Sequence, residues 1–275
     1  MGRAVNLARE EVALGNRILA NEGVLDAFGH VSIRHPENPG RYLLSRSRSP
    51  ELVEPGDVLE FDLDSNPIRP ATANLYSERV IHGEIYKARP DVMAVAHHHS
   101  PAILPFCVSG IELVPVFHLG APMGAQVPFW DQRDDFGDTN MLVVKPEEGA
   151  SLARALGKNS MVLMRRHGAT VVGASVPDLV LRTIYSCRNA EFQWQARMLG
   201  NVSMLSPGEI EKCAAIHKQP NVTSRTWEYW SMRLEKSGNG LQPVRSGRAS
   251  ARKMSASKAS KSKKKTVKTT RGRKR

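Results

Sequence analysis

Cysteine is scarce in this sequence, and its placement excludes one class of fold. The three cysteines are Cys107, Cys187 and Cys213, an odd number in which no two form a Cys-X-X-Cys pair. Small extracellular domains that depend on disulfides carry an even and much denser set. The sequence therefore predicts a fold held together by its hydrophobic core, in a reducing compartment.

Long hydrophobic runs are also absent. No apolar stretch reaches the ~20 residues that a membrane-spanning helix needs. Arg3, Arg9, Glu10 and Glu11 interrupt the N-terminal segment, where a secretory signal would have an apolar centre. We therefore expect no transmembrane segment and a cytoplasmic location.

Acidic residues are missing from the C-terminal part of the chain. Positions 245–275 hold 14 of the 39 Lys and Arg residues and no Asp or Glu, which leaves 25 basic and 27 acidic residues elsewhere. The net charge of +12 therefore belongs to this segment. Because the segment is nearly free of apolar residues, we expect a catalytic domain at 1–240 and a disordered Lys/Arg-rich tail at 241–275. The tail either binds nucleic acid or anionic surfaces weakly or is a solubilising appendage.

The apolar spacing before the tail predicts helices at both ends and strands with interspersed helices between them. Helices are expected at 4–21, 77–88, 101–108, 147–156, 177–199, 206–217 and 224–236, and strands at 31–34, 42–45, 58–63, 92–96, 115–120, 160–165 and 169–173. Ser77 is expected to cap the second helix, and 122–138 to form a loop. This order of elements predicts a layered α/β sandwich.

The cluster His97-His98-His99, which directly follows the strand at 92–96, is the most informative motif. Alternate residues of a strand share a face, so His97 and His99 should project together and His98 should face away. A third imidazole from the distant His167 would complete a three-ligand metal site with an open position, as catalytic sites have. The alternative is a polar, histidine-rich turn.

Glu78 and His82 lie four residues apart on the helix that leads into this strand. They should therefore share one helix face. A carboxylate beside a divalent cation serves either as a ligand or as a proton-transfer group. On its own, Glu78 could equally be a first-turn carboxylate stabilised by the helix dipole.

These motifs together resemble one known family. Ser77-Glu78, Arg89-Pro90-Asp91, His97-His98-His99 and His167-Gly168 occur in that order. In order and spacing they resemble the class II aldolase/adducin family, over most of residues 5–215. The resemblance implies an α/β fold, a three-layer α/β/α sandwich around a mostly antiparallel central sheet. It also implies a homotetramer with active sites at subunit interfaces.

The same resemblance assigns roles to individual residues. It implies one divalent metal per subunit, bound by His97, His99 and His167. It also implies that Glu78 is a ligand or the acid/base group of carbon–carbon bond cleavage.

The sequence departs from the sugar-phosphate aldolases of this family at three places. His30 stands where they have Asn, Tyr76-Ser77 where they have Ser-Ser, and Arg46 and Arg48 in the turn where they have glycine. A glycine-built phosphate nest is therefore missing. Two guanidinium groups suit a planar carboxylate instead, although they could also form a merely solvated turn.

With these departures, the chain is most similar to the decarboxylase branch of the family. Members of that branch act on 3-hydroxy-2-methylpyridine-4,5-dicarboxylate or on dihydroxyphthalates. We expect Arg46, Ser47 and Arg48 to bind a substrate carboxylate, with Arg225 as a further candidate. Tyr229 either replaces a proton-donating tyrosine of the aldolases as a catalytic residue or only packs beside its aromatic neighbours.

The expected function is therefore a metal-dependent lyase that decarboxylates a hydroxylated aromatic or pyridine (di)carboxylate. Mn(II) or Zn(II) would stabilise the ketonised ring intermediate. Glu78 would be the proton donor, and His30 would hydrogen-bond the substrate hydroxyl. Two alternatives stay open, namely a retro-aldolase or epimerase of a sugar phosphate, and a non-catalytic adducin-like scaffold with a basic tail.

Overall fold

The computed structural model describes residues 2–241. The predicted basic tail lies outside the described residues, so its disorder, its domain boundary and its binding properties stay predictions. Among residues 2–241, none of the helices is long and apolar enough to cross a membrane. The expected cytoplasmic location stays a prediction as well.

A seven-stranded sheet forms the centre of the described chain. The strands are β1 (His30–Arg34), β2 (Arg41–Ser45), β3 (Val58–Asp62), β4 (Ala94–His98), β5 (Phe129–Trp130), β6 (Met161–Met164) and β7 (Gly168–Gly173). Their order in the sheet is β3-β2-β1-β4-β7-β6-β5. Every neighbouring pair is antiparallel except β5 and β6, which are parallel. The strand that carries the histidine cluster, β4, thus lies in the middle of the sheet.

Helices cover both faces of this sheet. They are α1 (Arg3–Asn21), α2 (Val80–Ala88), α3 (Leu104–Ser109), α4 (Arg133–Phe136), α5 (Pro146–Leu156), α6 (Val176–Leu199), α7 (Pro207–His217) and α8 (Pro220–Lys236). One buried cluster joins α1, α6 and α8 to the sheet, and a second joins α2 and α5 to it. The predicted three-layer sandwich around a mostly antiparallel sheet is confirmed.

The segment around Pro115 corrects one predicted element. Residues 115–120 were expected to form a strand, but no strand forms there, and His118–Met123 is a 3-10 helix. The backbone N–H of Val116 donates instead to the side-chain oxygen of Asn189 on α6, at 2.8 Å. The N–H of Val114 donates in the same way to Gln193, at 2.9 Å. Buried amide side chains of α6 therefore satisfy this backbone in place of a neighbouring strand.

Three smaller predictions also need correction. Ser77 does not cap a helix; it begins the 3-10 turn Ser77–Arg79, which precedes α2 and has no side-chain cap. The last helix begins at Pro220 rather than at 224, because proline fits the first turn of a helix. The predicted loop at 122–138 contains the short elements β5 and α4.

Candidate metal and active site

His97 and His99 lie at the end of β4 with their imidazoles on the same side of the sheet. Their Nε2 atoms are 3.0 Å apart. His98 is fully buried away from them, and its Nδ1 accepts a hydrogen bond from the backbone N–H of Ser100. The alternation that the sequence predicted is therefore what the strand produces.

His167 reaches the same point from the hairpin between β6 and β7. Arg166 takes up the left-handed backbone conformation, with φ at 54°, and this closes the tight turn. A Cβ at Gly168 would collide with the carbonyl oxygen of His98 on the neighbouring strand and lie 3.0 Å from the ring of His99. Glycine therefore lets the hairpin lie close enough for the His167 ring centroid to come within 4.9 Å of that of His99.

Glu78 lies in the 3-10 turn before α2, and its carboxyl group faces the histidines. Oε2 is 3.7 Å from Nε2 of His97, and Oε1 is 3.5 Å from Nε2 of His167. The backbone N–H of Val143 donates to Oε1 at 3.0 Å. Burial raises the pKa of Glu78 to about 7, although the hydrogen bond from Val143 opposes that shift.

These four residues form the candidate metal centre. One ligand atom from each of Glu78, His97, His99 and His167 lies within 4.8 Å of the others. His97 Nδ1 is 3.3 Å from the hydroxyl of Thr170, which leaves its Nε2 lone pair free for a metal. Burial lowers the pKa of His97 well below its usual value and that of His167 to about 4. The imidazoles are therefore neutral at pH 7, as metal ligands must be.

A cavity of about 450 Å³ opens beside the centre. Its lining includes Glu78 and His99 of the metal centre, together with His30, Ser47, Arg48 and Tyr76. A volume of this size fits a substituted single-ring ligand. The structure thus brings five of the ten sequence-predicted site residues to the lining of one cavity, namely His30, Ser47, Arg48, Glu78 and His99.

Arg46 and Arg48 share a single carboxylate partner that the sequence analysis missed. Arg46 Nε donates to Asp57 Oδ1 at 2.7 Å, and Arg48 Nη1 donates to Asp57 Oδ2 at 2.5 Å. Burial raises the pKa of Asp57, but hydrogen bonds from the Glu54 N–H and both arginines outweigh it, so the net pKa is lowered. One negative charge faces two positive ones, which leaves an excess positive charge beside the cavity. Arg48 lines the cavity, whereas Arg46 does not.

His30 lies on β1 directly opposite His97 in the sheet register. Its ring centroid is 4.6 Å from that of Tyr76 and 5.4 Å from that of His97. Nδ1 of His30 lies 2.6 Å from Nε2 of His82 on α2. The sequence placed His82 on the same helix face as Glu78, but it gave no sign of this contact with β1.

Arg225 and Tyr229 do not join the cavity of their own chain. Both are exposed on α8, with Tyr229 48% accessible. The Tyr229 ring contacts Trp230 and lies 5.7 Å from the Arg233 guanidinium. The structure therefore places these two candidates apart from the metal centre, and their roles stay predictions.

Comparisons with known proteins agree with this site. The family described as Class II Aldolase and Adducin N-terminal domain matches residues 10–194. The chain is 34% identical over 248 residues to Decarboxylase tropJ of Talaromyces stipitatus, covering 82% of this chain and 92% of that protein. It is 32% identical over 192 residues to 3,4-dihydroxyphthalate decarboxylase of Arthrobacter keyseri, covering 64% and 73%.

A solved structure shares the fold. It is an aldolase II superfamily protein from Pseudomonas syringae, which superposes with a TM-score of 0.73 at 20% identity. The match covers 88% of this chain and 97% of that one. At this identity the likeness shows the fold alone.

Proposed function

This chain belongs to the class II aldolase and adducin family, and on that premise we propose that it is a carboxy-lyase. Its substrate is a hydroxylated aromatic or pyridine (di)carboxylate, and its activity requires one divalent cation per subunit. The observation that carries the proposal is the convergence of three imidazoles and the Glu78 carboxyl beside a cavity walled by Arg48. The names of the two decarboxylase relatives support the same class of reaction.

The donor set fits a divalent transition metal. His97, His99 and His167 would hold the cation, because their Nε2 atoms face one point and their burial keeps them unprotonated. Nitrogen ligands with a nearby carboxylate suit Zn(II) or Mn(II). When bound, such a cation stabilises the negative charge that develops on a substrate phenolate oxygen.

Glu78 is the proton donor of this proposal. In the metal-free chain, burial raises its pKa to about 7, so the carboxyl group is partly protonated at neutral pH, and the backbone N–H of Val143 orients it. The proton passes to the ring carbon that carries the carboxylate. The bond to the carboxylate then breaks, its electron pair restores the aromatic ring, and CO₂ leaves. The Glu78 carboxylate afterwards takes up a proton from solvent.

Arg46, Ser47 and Arg48 orient the substrate. Arg48 lines the cavity with donors that Asp57 does not use, so it can hold a second carboxylate in a two-point contact. Ser47 lines the same cavity. Arg46 acts indirectly. It shares the Asp57 carboxylate with Arg48, so the net charge beside the cavity stays positive.

We also propose a homotetramer with active sites at subunit interfaces. Phe28 and Leu142 line the cavity, yet 67% and 40% of these apolar side chains are exposed. A neighbouring subunit would cover this rim and remove the apolar surface from water. In such an assembly, Arg225 and Tyr229 would act on a neighbour's cavity. Light scattering on the active protein tests the assembly, and an active monomer would contradict it.

The test of the reaction is CO₂ release from 3,4-dihydroxyphthalate and from hydroxypyridine dicarboxylates. The full chain is stripped of metal and reloaded with Mn(II) or Zn(II), with His99→Ala as the matched control. We expect release only from the reloaded native chain. No release from any of these compounds would refute the carboxy-lyase, and strong binding of inorganic phosphate would favour a sugar-phosphate aldolase or epimerase.

A further inference from the structure

A buried row of hydrogen-bonded polar side chains, called here the polar chain, runs from the cavity lining into the layer between the sheet and α2. His30 Nδ1 lies 2.6 Å from His82 Nε2, and His82 Nδ1 lies 2.6 Å from the hydroxyl of Ser32. The Ser32 hydroxyl lies 2.8 Å from the hydroxyl of Tyr86. All four residues are at most 3% exposed.

Regular secondary structure holds the chain in place. His30 and Ser32 are alternate residues of β1 and share a face of the sheet. His82 and Tyr86 are one turn apart on α2 and share a face of that helix. The polar chain is therefore part of the contact between a central strand and the helix packed on it, and at this burial the loss of one member leaves another polar group unpaired.

The Tyr86 end sets the direction of every hydrogen bond. Among the described residues, the Tyr86 hydroxyl has one partner, the hydroxyl of Ser32. A buried hydroxyl hydrogen without an acceptor is unfavourable, so Tyr86 must donate to Ser32. Ser32 then has one hydrogen left to give, and its second neighbour is Nδ1 of His82.

The same reasoning fixes the proton on both imidazoles. Both rings are at most 3% exposed, and neither has a carboxylate partner among the described residues, so the charged form is disfavoured and each ring carries one proton. His82 accepts at Nδ1, so its proton is on Nε2 and is donated to Nδ1 of His30. The proton of His30 must then be on Nε2. That nitrogen has no protein partner among the described residues, and His30 lines the cavity.

We propose that Tyr86, Ser32 and His82 are positioning residues that fix His30 as a hydrogen-bond donor, with its Nε2–H available to the cavity. His30 then stabilises an oxygen of the substrate and does not remove a proton from it. The identity of that oxygen, the ring hydroxyl, rests on the proposed function. The tautomer itself does not, because it follows from the hydrogen bonds and the burial of the two rings.

The tautomer is measured by ¹⁵N NMR of the imidazoles in the full chain with Zn(II) supplied, since Zn(II) is diamagnetic. The His30 resonances are assigned by their loss in His30→Asn. We expect a protonated Nε2 and an unprotonated Nδ1 at His30, and the same pattern at His82. A protonated Nδ1 at His30 would overturn the proposal, whether or not any substrate is decarboxylated.

Tyr86→Phe tests the origin of the effect with little change of shape. Without the terminal donor, both directions of the chain become possible, so His30 should show a mixture of tautomers. We expect kcat to fall about fivefold, which corresponds to the net free energy of one hydrogen bond, and KM to stay nearly unchanged. Tyr42→Phe is the matched control. The Tyr42 ring lies 5.5 Å from that of Tyr86, but the Tyr42 hydroxyl donates to Ser65, which is not a member of the polar chain. An unchanged tautomer in Tyr86→Phe would overturn the proposal.

His82 offers a second comparison. His82→Gln keeps an N–H that can donate to His30 Nδ1, whereas His82→Leu removes it. We expect the glutamine variant to retain the Nε2–H tautomer of His30 and most of kcat, and the leucine variant to lose both. Equal behaviour of the two variants in a folded protein would show that His82 only fills space.

Discussion

The backbone N–H of Val143 donates to Oε1 of Glu78, across 65 positions of the sequence. This bond orients the carboxyl group so that its other oxygen, Oε2, faces His97. Burial nevertheless dominates, and the pKa of Glu78 rises to about 7. The loop that contains Val143 therefore orients the Glu78 carboxyl group through a neutral N–H, and the carboxyl group keeps its raised pKa.

Glu78→Gln should retain metal and lose turnover. Glutamine keeps the shape and the acceptor for Val143 but has no proton to transfer at neutral pH. We expect kcat to fall by about 100-fold or more, with metal content by elemental analysis unchanged because three imidazoles remain. Glu147→Gln, an exposed position on α5, is the control. Native turnover in Glu78→Gln would remove Glu78 from the mechanism.

Thr170→Val should weaken metal binding without removing a ligand. The Thr170 hydroxyl is the neighbour of His97 Nδ1, at 3.3 Å, and such partners orient metal-binding imidazoles. We expect about a tenfold loss of Zn(II) affinity in a competition titration with a chelator. Thr183→Val, a buried change on α6, should leave the affinity as it is. Equal affinities would mean that Thr170 does not orient the ligand.

Gly168→Ala should disturb the metal centre through the backbone. An alanine Cβ would collide with the His98 carbonyl, so β7 must move away from β4 and carry His167 with it. We expect a loss of about 1–3 kcal/mol in the free energy of unfolding, together with weaker metal binding. Gly208→Ala is the control, because nothing lies within 4 Å of its Cβ position. A Gly168→Ala protein with native stability and affinity would contradict this packing.

Asp57→Asn should raise KM for a dicarboxylate more than it lowers kcat. Without the Asp57 carboxylate, Arg46 and Arg48 lose the charged partner that holds both guanidinium groups in place. We expect KM to rise about tenfold, which corresponds to the free energy of one hydrogen bond to a charged group. Arg48→Lys should have a larger effect on KM than Arg46→Lys, because only Arg48 lines the cavity. The opposite order would place the substrate carboxylate elsewhere.

Acid should destabilise the metal-free protein through its buried histidines. Burial lowers the pKa of His82 and His98 to about 3 and that of His167 to about 4. The unfolded chain binds these protons near pH 6.5, so the free energy of unfolding falls as the pH drops below 6.5. Each histidine contributes about 1.4 kcal/mol per pH unit down to its folded pKa. Glu78, whose pKa burial raises to about 7 from its usual 4.5, opposes one histidine's share of the slope between these two pH values.

Urea unfolding at pH 7, 6 and 5 in the presence of a chelator measures this slope. Between pH 7 and 8 the histidines should add almost nothing to the slope of the free energy of unfolding against pH, since the imidazoles are then neutral in both the folded and the unfolded state. A flat profile between pH 6.5 and 5 would show that the buried histidines do not stay neutral.

Residues close together in the sequence were predictable because strand and helix geometry alone places them. The two-residue period of β4 sets His97 and His99 on one face, whichever strands lie beside it. The four-residue spacing of Glu78 and His82 was equally local, although Glu78 itself lies in the 3-10 turn before α2. The segment at 115–120 failed as a strand because the backbone N–H of Val116 bonds to the side chain of Asn189 on α6, which no local pattern reveals.

The sequence by itself thus determined the family, the order of the elements and the set of imidazoles that can meet a metal, since these depend on motifs and short-range periodicity. Only the tertiary structure decided which groups orient that set: Val143 for Glu78, Asp57 for the two arginines, and Tyr86 at the end of the His30 chain. Their physical basis is hydrogen bonding between segments far apart in the sequence. Such bonds exist only once sheet register and helix packing have excluded water and fixed each donor against its acceptor.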